Sequence, residues 1–213
     1  MFSFFLVPLY TDLLPKEEYG RVNVIFAYLI FFNVILAYGM ETAFFRFYNT
    51  EENKKSVVET SMVSIFWSTL VFLAVALLFR NSVSSFINID VQYITYIIWI
   101  LALDALVIIP FSKLRAYQRP LFYAIIKIGN VVVNLGLNLF FLIYLPKITI
   151  AYPDSFISTF YFEGFQVGYI FISNIAASLL TFLVLLPNYF QIKWKFNFSL
   201  WKRLMNYGFP LLI

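Results

Sequence analysis

Five long apolar runs, each cut off from the next by a short polar segment, constrain this chain more than any other feature. A segment that crosses a bilayer as a helix needs about 20 mostly apolar residues. It must also satisfy its own backbone polar groups, because lipid offers them no partner. The runs that meet the first requirement are Val22 to about Phe45, Met62–Phe79, Tyr93–Phe111, Leu121–Leu145 and Val167–Leu186. Hydrophobic residues make up 62% of the 213 positions and charged residues 12%. A soluble domain carries roughly 45–50% and about 25%, so these runs are not the core strands or helices of a water-soluble fold. The expectation is an all-α, polytopic membrane helix bundle.

Both ends of the chain read as incomplete. Met1–Tyr10 is apolar but about half the length of a span, and TDLLPKEEYGR follows it as a polar loop. The final NYGFPLLI opens like one more helix. The expected organisation is therefore a fragment. Residues 1–204 would form one transmembrane lobe, with helix 1 incomplete and helices 2–6 complete, and residues 205–213 would start helix 7 and a second lobe. The alternative is an intact five-span protein with a re-entrant N-terminus. MFSFFLVPLY has neither the positive leader nor the small-residue cleavage site of a signal peptide. Between the first two full spans, Asn49 and Glu52 have capping-box spacing, which predicts a helix start at Asn49.

The chain has no cysteine and no histidine, so disulfides, thiol nucleophiles, histidine triads and Cys/His zinc sites are excluded. The formal charge of +4 is read here through the positive-inside rule rather than as a nucleic-acid signal. One set of alternating loops holds Arg46, Lys54 and Lys55, then Lys113, Arg115 and Arg119, then Lys193, Lys195, Lys202 and Arg203. The other set holds only Lys16, Arg21, Arg80 and Lys147, together with most of the loop acids. Loops 46–55, 113–119 and 189–203 are therefore expected on the cytoplasmic side of a multi-pass protein of the cytoplasmic (inner) membrane.

Charged residues at mid-membrane cost about 2.5–3.5 kcal/mol each on insertion scales, so Asp104 and Lys127 call for an explanation. Lys127, Asn130, Asn134 and Asn138 fall within an arc of about 80° on a helical wheel, with Tyr123 in the same arc. Gly129 and Gly136 lie on the far side as notches for a neighbouring backbone. The polar stripe either lines a cavity or bonds helices together. Asp104 lies about 12 Å and Lys127 about 10 Å from the expected cytoplasmic surface, on adjacent antiparallel helices. A charge pair between them follows from that matched depth. Pro110 removes a backbone bond, frees the Leu106 carbonyl and predicts a kink below Asp104, either a hinge or a static bend. In GMETAFFRF, Glu41 and Arg46 differ by about 140° on the wheel and do not pair. Glu41 is expected to face another helix or a cavity mouth. Arg46 either snorkels to the headgroups or meets an anionic ligand.

Four segments, LVPLYTDLLPKEEYG (6–20), YGMETAFFRF (38–47), RAYQRPLFYAIIKIGNVVVNLGLNLFF (115–141) and MNYGFPLLI (205–213), together resemble the polysaccharide flippases. These belong to the superfamily that also holds MATE drug exporters and the lipid II flippase. The resemblance covers nearly the whole chain. It implies the N-terminal six-helix lobe of a two-lobe transporter that moves a lipid-linked glycan across the cytoplasmic membrane by alternating access. It implies a diphosphate-bearing substrate, for which Arg46, Lys127, Asn130, Asn134 and Asn138 are the candidate ligands. Asp104, with Lys127 and Glu41, is the candidate for charge pairing or for coupling to a proton or sodium ion. An ion-coupled drug exporter is the alternative within the superfamily, and a membrane-embedded glycan polymerase is an alternative outside it. The polymerase needs a catalytic set that cannot be assembled from the isolated loop acids Asp154 and Glu163. No glycine-rich phosphate loop and no cofactor motif is present, so the chain is expected not to be an enzyme.

Overall fold

The computed structural model describes residues 6–212. Five helical stretches are long and apolar enough to cross a membrane: Lys16–Thr50, Lys54–Ile87, Val91–Ala116, Pro120–Ala151 and Gln166–Phe190. The chain is 84% helical, with no strand among the described residues. It is an all-α polytopic bundle, as the apolar runs require. The outward-facing side chains are large and apolar, among them Ile30, Phe31, Leu78 and Phe79. That is how a bundle looks when its solvent is hydrocarbon.

Four of the five spans are interrupted. The fifth breaks only at Leu186, just before Pro187, and the interruptions of the other three each have a local cause. The first is built from α2 (Lys16–Ala37) and α3 (Met40–Thr50). Between them Tyr38 and Gly39 both adopt left-handed backbone, with φ of 33° and 68°. GMETAFFRF is thus not the tail of the preceding helix. It is a second, amphipathic helix that buries Met40, Ala43, Phe44, Phe47 and Tyr48 at a spacing of three to four. The third span breaks at Val107, between α5 (Val91–Leu106) and α6 (Ile108–Ala116). Pro110 has no N–H to offer Leu106, and the Leu106 carbonyl instead accepts the Tyr189 hydroxyl at 2.7 Å. In the fourth, α7 (Pro120–Leu139) passes through a π-turn at Phe140–Tyr144 into α8 (Leu145–Ala151). Pro146 lies just beyond this π-turn and again withholds an N–H. The helix therefore runs on past the expected limit at Leu145.

The capping box at Asn49 does not form. Because α3 extends to Thr50, Asn49 lies in its last turn and its amide donates to the Phe45 carbonyl at 3.0 Å. The cap of α4 (Lys54–Ile87) is Asn53, whose side chain accepts the Ser56 amide at 3.0 Å. At 34 residues and 1.5 Å per residue, α4 is about 51 Å long, well beyond the ~30 Å hydrocarbon core. Its first turns stand among protein. The buried Glu59 accepts the Lys193 amide and the buried Thr60 accepts that of Asn197.

The remaining elements are short α1 (Val7–Leu13), α9 (Gln166–Leu185), one-turn α10 (Pro187–Phe190) and amphipathic α11 (Phe198–Gly208). The part of the N-terminal run at 1–5 lies outside the described residues. The expected start of helix 7 at residue 205 falls inside α11, which already begins at Phe198. The final 3-10 turn, Phe209–Leu212, continues from it.

Packing divides the bundle along its length. One apolar cluster joins α1, α2, α5, the π-turn and the start of α9, around Ile25, Leu101, Leu145, Ile170 and Phe171. A second joins α3, the first turns of α4, Ile109 of α6, and α11, around Met40, Phe44, Met62, Ile65 and Leu204. The changeover falls at the level of the two helix breaks. There Gly39 meets Gly208, and a Cβ on either would collide with the other's backbone.

Candidate functional site

Asn33, Asp104, Lys127, Asn130 and Ser178 of the membrane-spanning segments collect along one groove. Helices α2 and α5 pack together, as do α5 with α9 and α9 with α7, whereas α2 and α7 are not packed along each other. They form two walls, and α5 with α9 makes the floor between them. At the floor, the Ser178 hydroxyl of α9 donates to the Asp104 carboxylate of α5 at 2.8 Å. Asn33 of α2 lies beside the same carboxylate.

Lys127 stands on the α7 wall. The direct ion pair with Asp104 expected from matched depth is not formed. Among the described residues the ion pairs are Glu41–Arg115 and Glu51–Arg203. Lys127 and Asp104 remain within electrostatic range of each other, but the lysine ammonium sits 4.4 Å from the centre of the Phe111 ring, an attraction between a cation and an aromatic face. The two side chains turn to different neighbours, Asp104 to Ser178 and Lys127 to the Phe111 ring.

The asparagine stripe grades from open to sealed. Asn130 donates to Thr181 of α9 at 2.9 Å. Asn138 is fully buried, accepts the Tyr10 hydroxyl at 3.0 Å, and donates to the Asn134 side-chain oxygen at 3.1 Å. Asn138, and Asn130 through Thr181, therefore bond helices. Tyr10 carries α1 across from α2 to α7 and closes the groove at that end. The glycine notches are not used: nothing lies within 4 Å of a Cβ built on Gly129 or Gly136.

The opposite end of the groove is the charged end. Glu41, in the first turn of α3, is paired with Arg115 in the last turn of α6. The Arg115 guanidinium also lies 4.8 Å from the Phe45 ring of α3 and 5.2 Å from the Tyr123 ring of α7, so one side chain spans the mouth from wall to wall. Tyr123 in turn meets Phe111 edge-on at 5.3 Å. Lys127, Phe111, Tyr123, Arg115 and Phe45 thus form a continuous run of cations and rings.

Arg46 is not part of this groove. Its guanidinium sits 4.1 Å over the Tyr207 ring of α11, on the side of α3 away from Glu41, as the angle of about 140° between them requires. The three lysine- and arginine-rich segments do converge at one end of the bundle. Arg203 pairs with Glu51, Lys113 donates to Asn188 at 2.9 Å and reaches Gln191 at 3.4 Å, and Tyr48 meets Tyr117.

Sequence reasoning missed Asn33, Ser178, Thr181 and the role of Arg115. Asn33 carried a signal, as a lone amide in the apolar run LIFFNVILA. The serine and threonine did not, because hydroxyls at such positions commonly bond back to their own helix. Arg115 was read only as a loop cation. Comparison with known protein families, with curated proteins and with solved structures finds no match for this chain.

Proposed function

We propose that this chain belongs to a membrane transporter that moves a lipid-linked oligosaccharide or polysaccharide precursor across the cytoplasmic membrane by alternating access. The observation that carries this reading is the groove. It holds Asp104, Asn33 and Lys127 at membrane depth, is bridged by Tyr10 at one end, and has an aromatic-flanked arginine at the other. Buried polar groups inside a bilayer are costly and tend to mark substrate or ion pathways. Rings beside cations suit a ligand with sugar faces and a phosphate-bearing head. The charged end, rich in Lys and Arg, is assigned to the cytoplasm by the positive-inside rule. The interruptions at Tyr38–Gly39 and Val107 supply the hinge positions, with Pro110 as the cause of the second.

The test is reconstitution of the full-length protein in vesicles loaded with a short-chain fluorescent lipid-linked oligosaccharide. The expected result is movement of the label between leaflets at a rate that Asp104→Asn and Lys127→Gln reduce. Asp104 supports a second reading, since a carboxylate on the groove floor suits a lipophilic cation. Extrusion of a cationic dye with no movement of the oligosaccharide would establish the drug exporter in place of the flippase.

A further inference from the structure

We propose that Arg115 is the anchor for the phosphate-bearing head of the lipid-linked substrate, and that Glu41 is the group which the phosphate displaces. This rests on the transport reading above and adds to it a residue, a ligand group and an exchange of partners.

Three observations lead there. First, Arg115 does not depend on Glu41 for its position. The rings of Phe45 and Tyr123 hold the guanidinium from opposite walls, and Arg stacks on aromatic faces while leaving its N–H edge free to bond. Second, the pair is open to its surroundings, with the two side chains 37% and 43% exposed for Arg115 and Glu41. An exposed ion pair contributes about 0–1 kcal/mol, so a competing anion has little to overcome. A phosphate is a better partner than a carboxylate, because it offers more acceptor oxygens and more charge to the same planar fork. Third, Glu41 has a second place to go. It lies in the first turn of α3, whose N-cap is Gly39 with no side-chain cap. The amides at that end have no helical partner and the helix dipole favours a negative group there. A displaced Glu41 carboxylate can therefore fold back onto its own helix. Lys127, one turn beyond Tyr123 on α7 and within electrostatic range of both Glu41 and Arg115, supplies a second positive charge to a diphosphate at the same mouth.

The proposal commits to the substrate's diphosphate rather than a bilayer phospholipid, because rings from two separate helices, Phe45 of α3 and Tyr123 of α7, flank the arginine. The test uses the full-length protein in nanodiscs of phosphatidylcholine, titrated with a short-chain isoprenyl diphosphate. The matching isoprenyl alcohol is the control, and a parallel set of discs contains 20% phosphatidylglycerol. Glu41→Gln should tighten diphosphate binding by about 3- to 10-fold, since the competitor has gone. Arg115→Gln should weaken it by at least about 10-fold, and Arg115→Lys should fall between, having lost the planar fork. The double variant should bind as weakly as Arg115→Gln alone, because Glu41 acts only through Arg115. Glu41→Asp, which shortens the reach, serves in place of Glu41→Gln if that variant does not fold. Weakened or unchanged binding in Glu41→Gln, or wild-type binding in Arg115→Gln, overturns the proposal. So does binding that phosphatidylglycerol abolishes. The predicted pattern without lipid movement in vesicles leaves the anchor standing and removes the transport reading. Normal movement by Arg115→Gln does the reverse.

Discussion

At the scale of single residues, the polar groups of the groove sort by how completely the protein satisfies them. Asn138 is buried with the Tyr10 hydroxyl on its oxygen and the Asn134 oxygen on its amide. Asn138→Leu leaves Tyr10 without its acceptor, at a cost expected in the range of about 1–3 kcal/mol. Asn130→Leu removes only the bond to Thr181, and membrane hydrogen bonds of this kind average about 0.6 kcal/mol. Unfolding of the two variants in a titration of denaturing detergent should rank them in that order. Equal losses would mean that the seal at Tyr10 carries no special weight. Asp104 and Lys127 show where sequence geometry stops. Their depths follow from counting residues, but the partners they choose, Ser178 and the Phe111 ring, depend on helix rotations that no count supplies.

At the scale of elements, the same residue type has opposite value at different sites. Gly39 has φ of 68° and backs onto Gly208, whereas Gly129 faces open space in a helix interior. Gly39→Ala should therefore destabilise the protein by more than about 1–3 kcal/mol of backbone strain, since a collision adds to it. Gly129→Ala should be neutral or stabilising by up to about 1 kcal/mol. Thermal unfolding in detergent measures both, and a tolerated Gly39→Ala would refute the close approach. The break at Val107 gives a sharper test. Tyr189→Phe deprives the Leu106 carbonyl of its partner and should cost about 1–3 kcal/mol. In a Pro110→Ala background, residue 110 regains an amide that can serve Leu106, and the same change should cost much less. Additive effects in this double-mutant cycle would show that the proline and the tyrosine do not share that carbonyl. The five spans were legible from the sequence because an apolar run of sufficient length has one outcome in lipid. The second break was legible too, because proline announces it. The first was not, because Gly39 resembles many other glycines until Gly208 is placed beside it. The false cap at Asn49 arose from reading the polar NTEE as the start of the next helix, whereas α3 runs on to Thr50.

At the scale of the whole molecule, the charged segments around α3, the turn after α6 and the stretch before α11 gather at one end of the bundle. With no native cysteine, single cysteines report sidedness cleanly. Those at residues 53–55 and 193–195 should label from one face of the membrane, and those at 84–88 and 154–158 from the other. On the orientation proposed above, the first group should label from the cytoplasm. Labelling of both groups from one face would contradict the five-span topology itself. That the cationic segments share one end of the bundle was legible from where lysine and arginine fall. The Arg115 bridge across the groove mouth was not, because two of its three partners, Glu41 and Phe45, sit on α3, far from Arg115 in the chain.

The meeting of Gly39 with Gly208 also bears on how the protein is made. A ribosome adds roughly 5–20 residues per second, so the break between α2 and α3 emerges roughly ten to thirty seconds before the glycine that will lie against it. Throughout that interval α3 lacks α11, the element that receives Arg46 and supplies Arg203 to Glu51. The first half of the interrupted span, α2, can enter the bilayer as soon as it is complete. Its second half, α3, meets α4 and α6 on the way but lacks α11 for almost all of the rest of the chain. Nascent chains stalled before residue 198 should therefore expose α3 to protease while α2 is already protected, and chains stalled well beyond residue 208 should protect both.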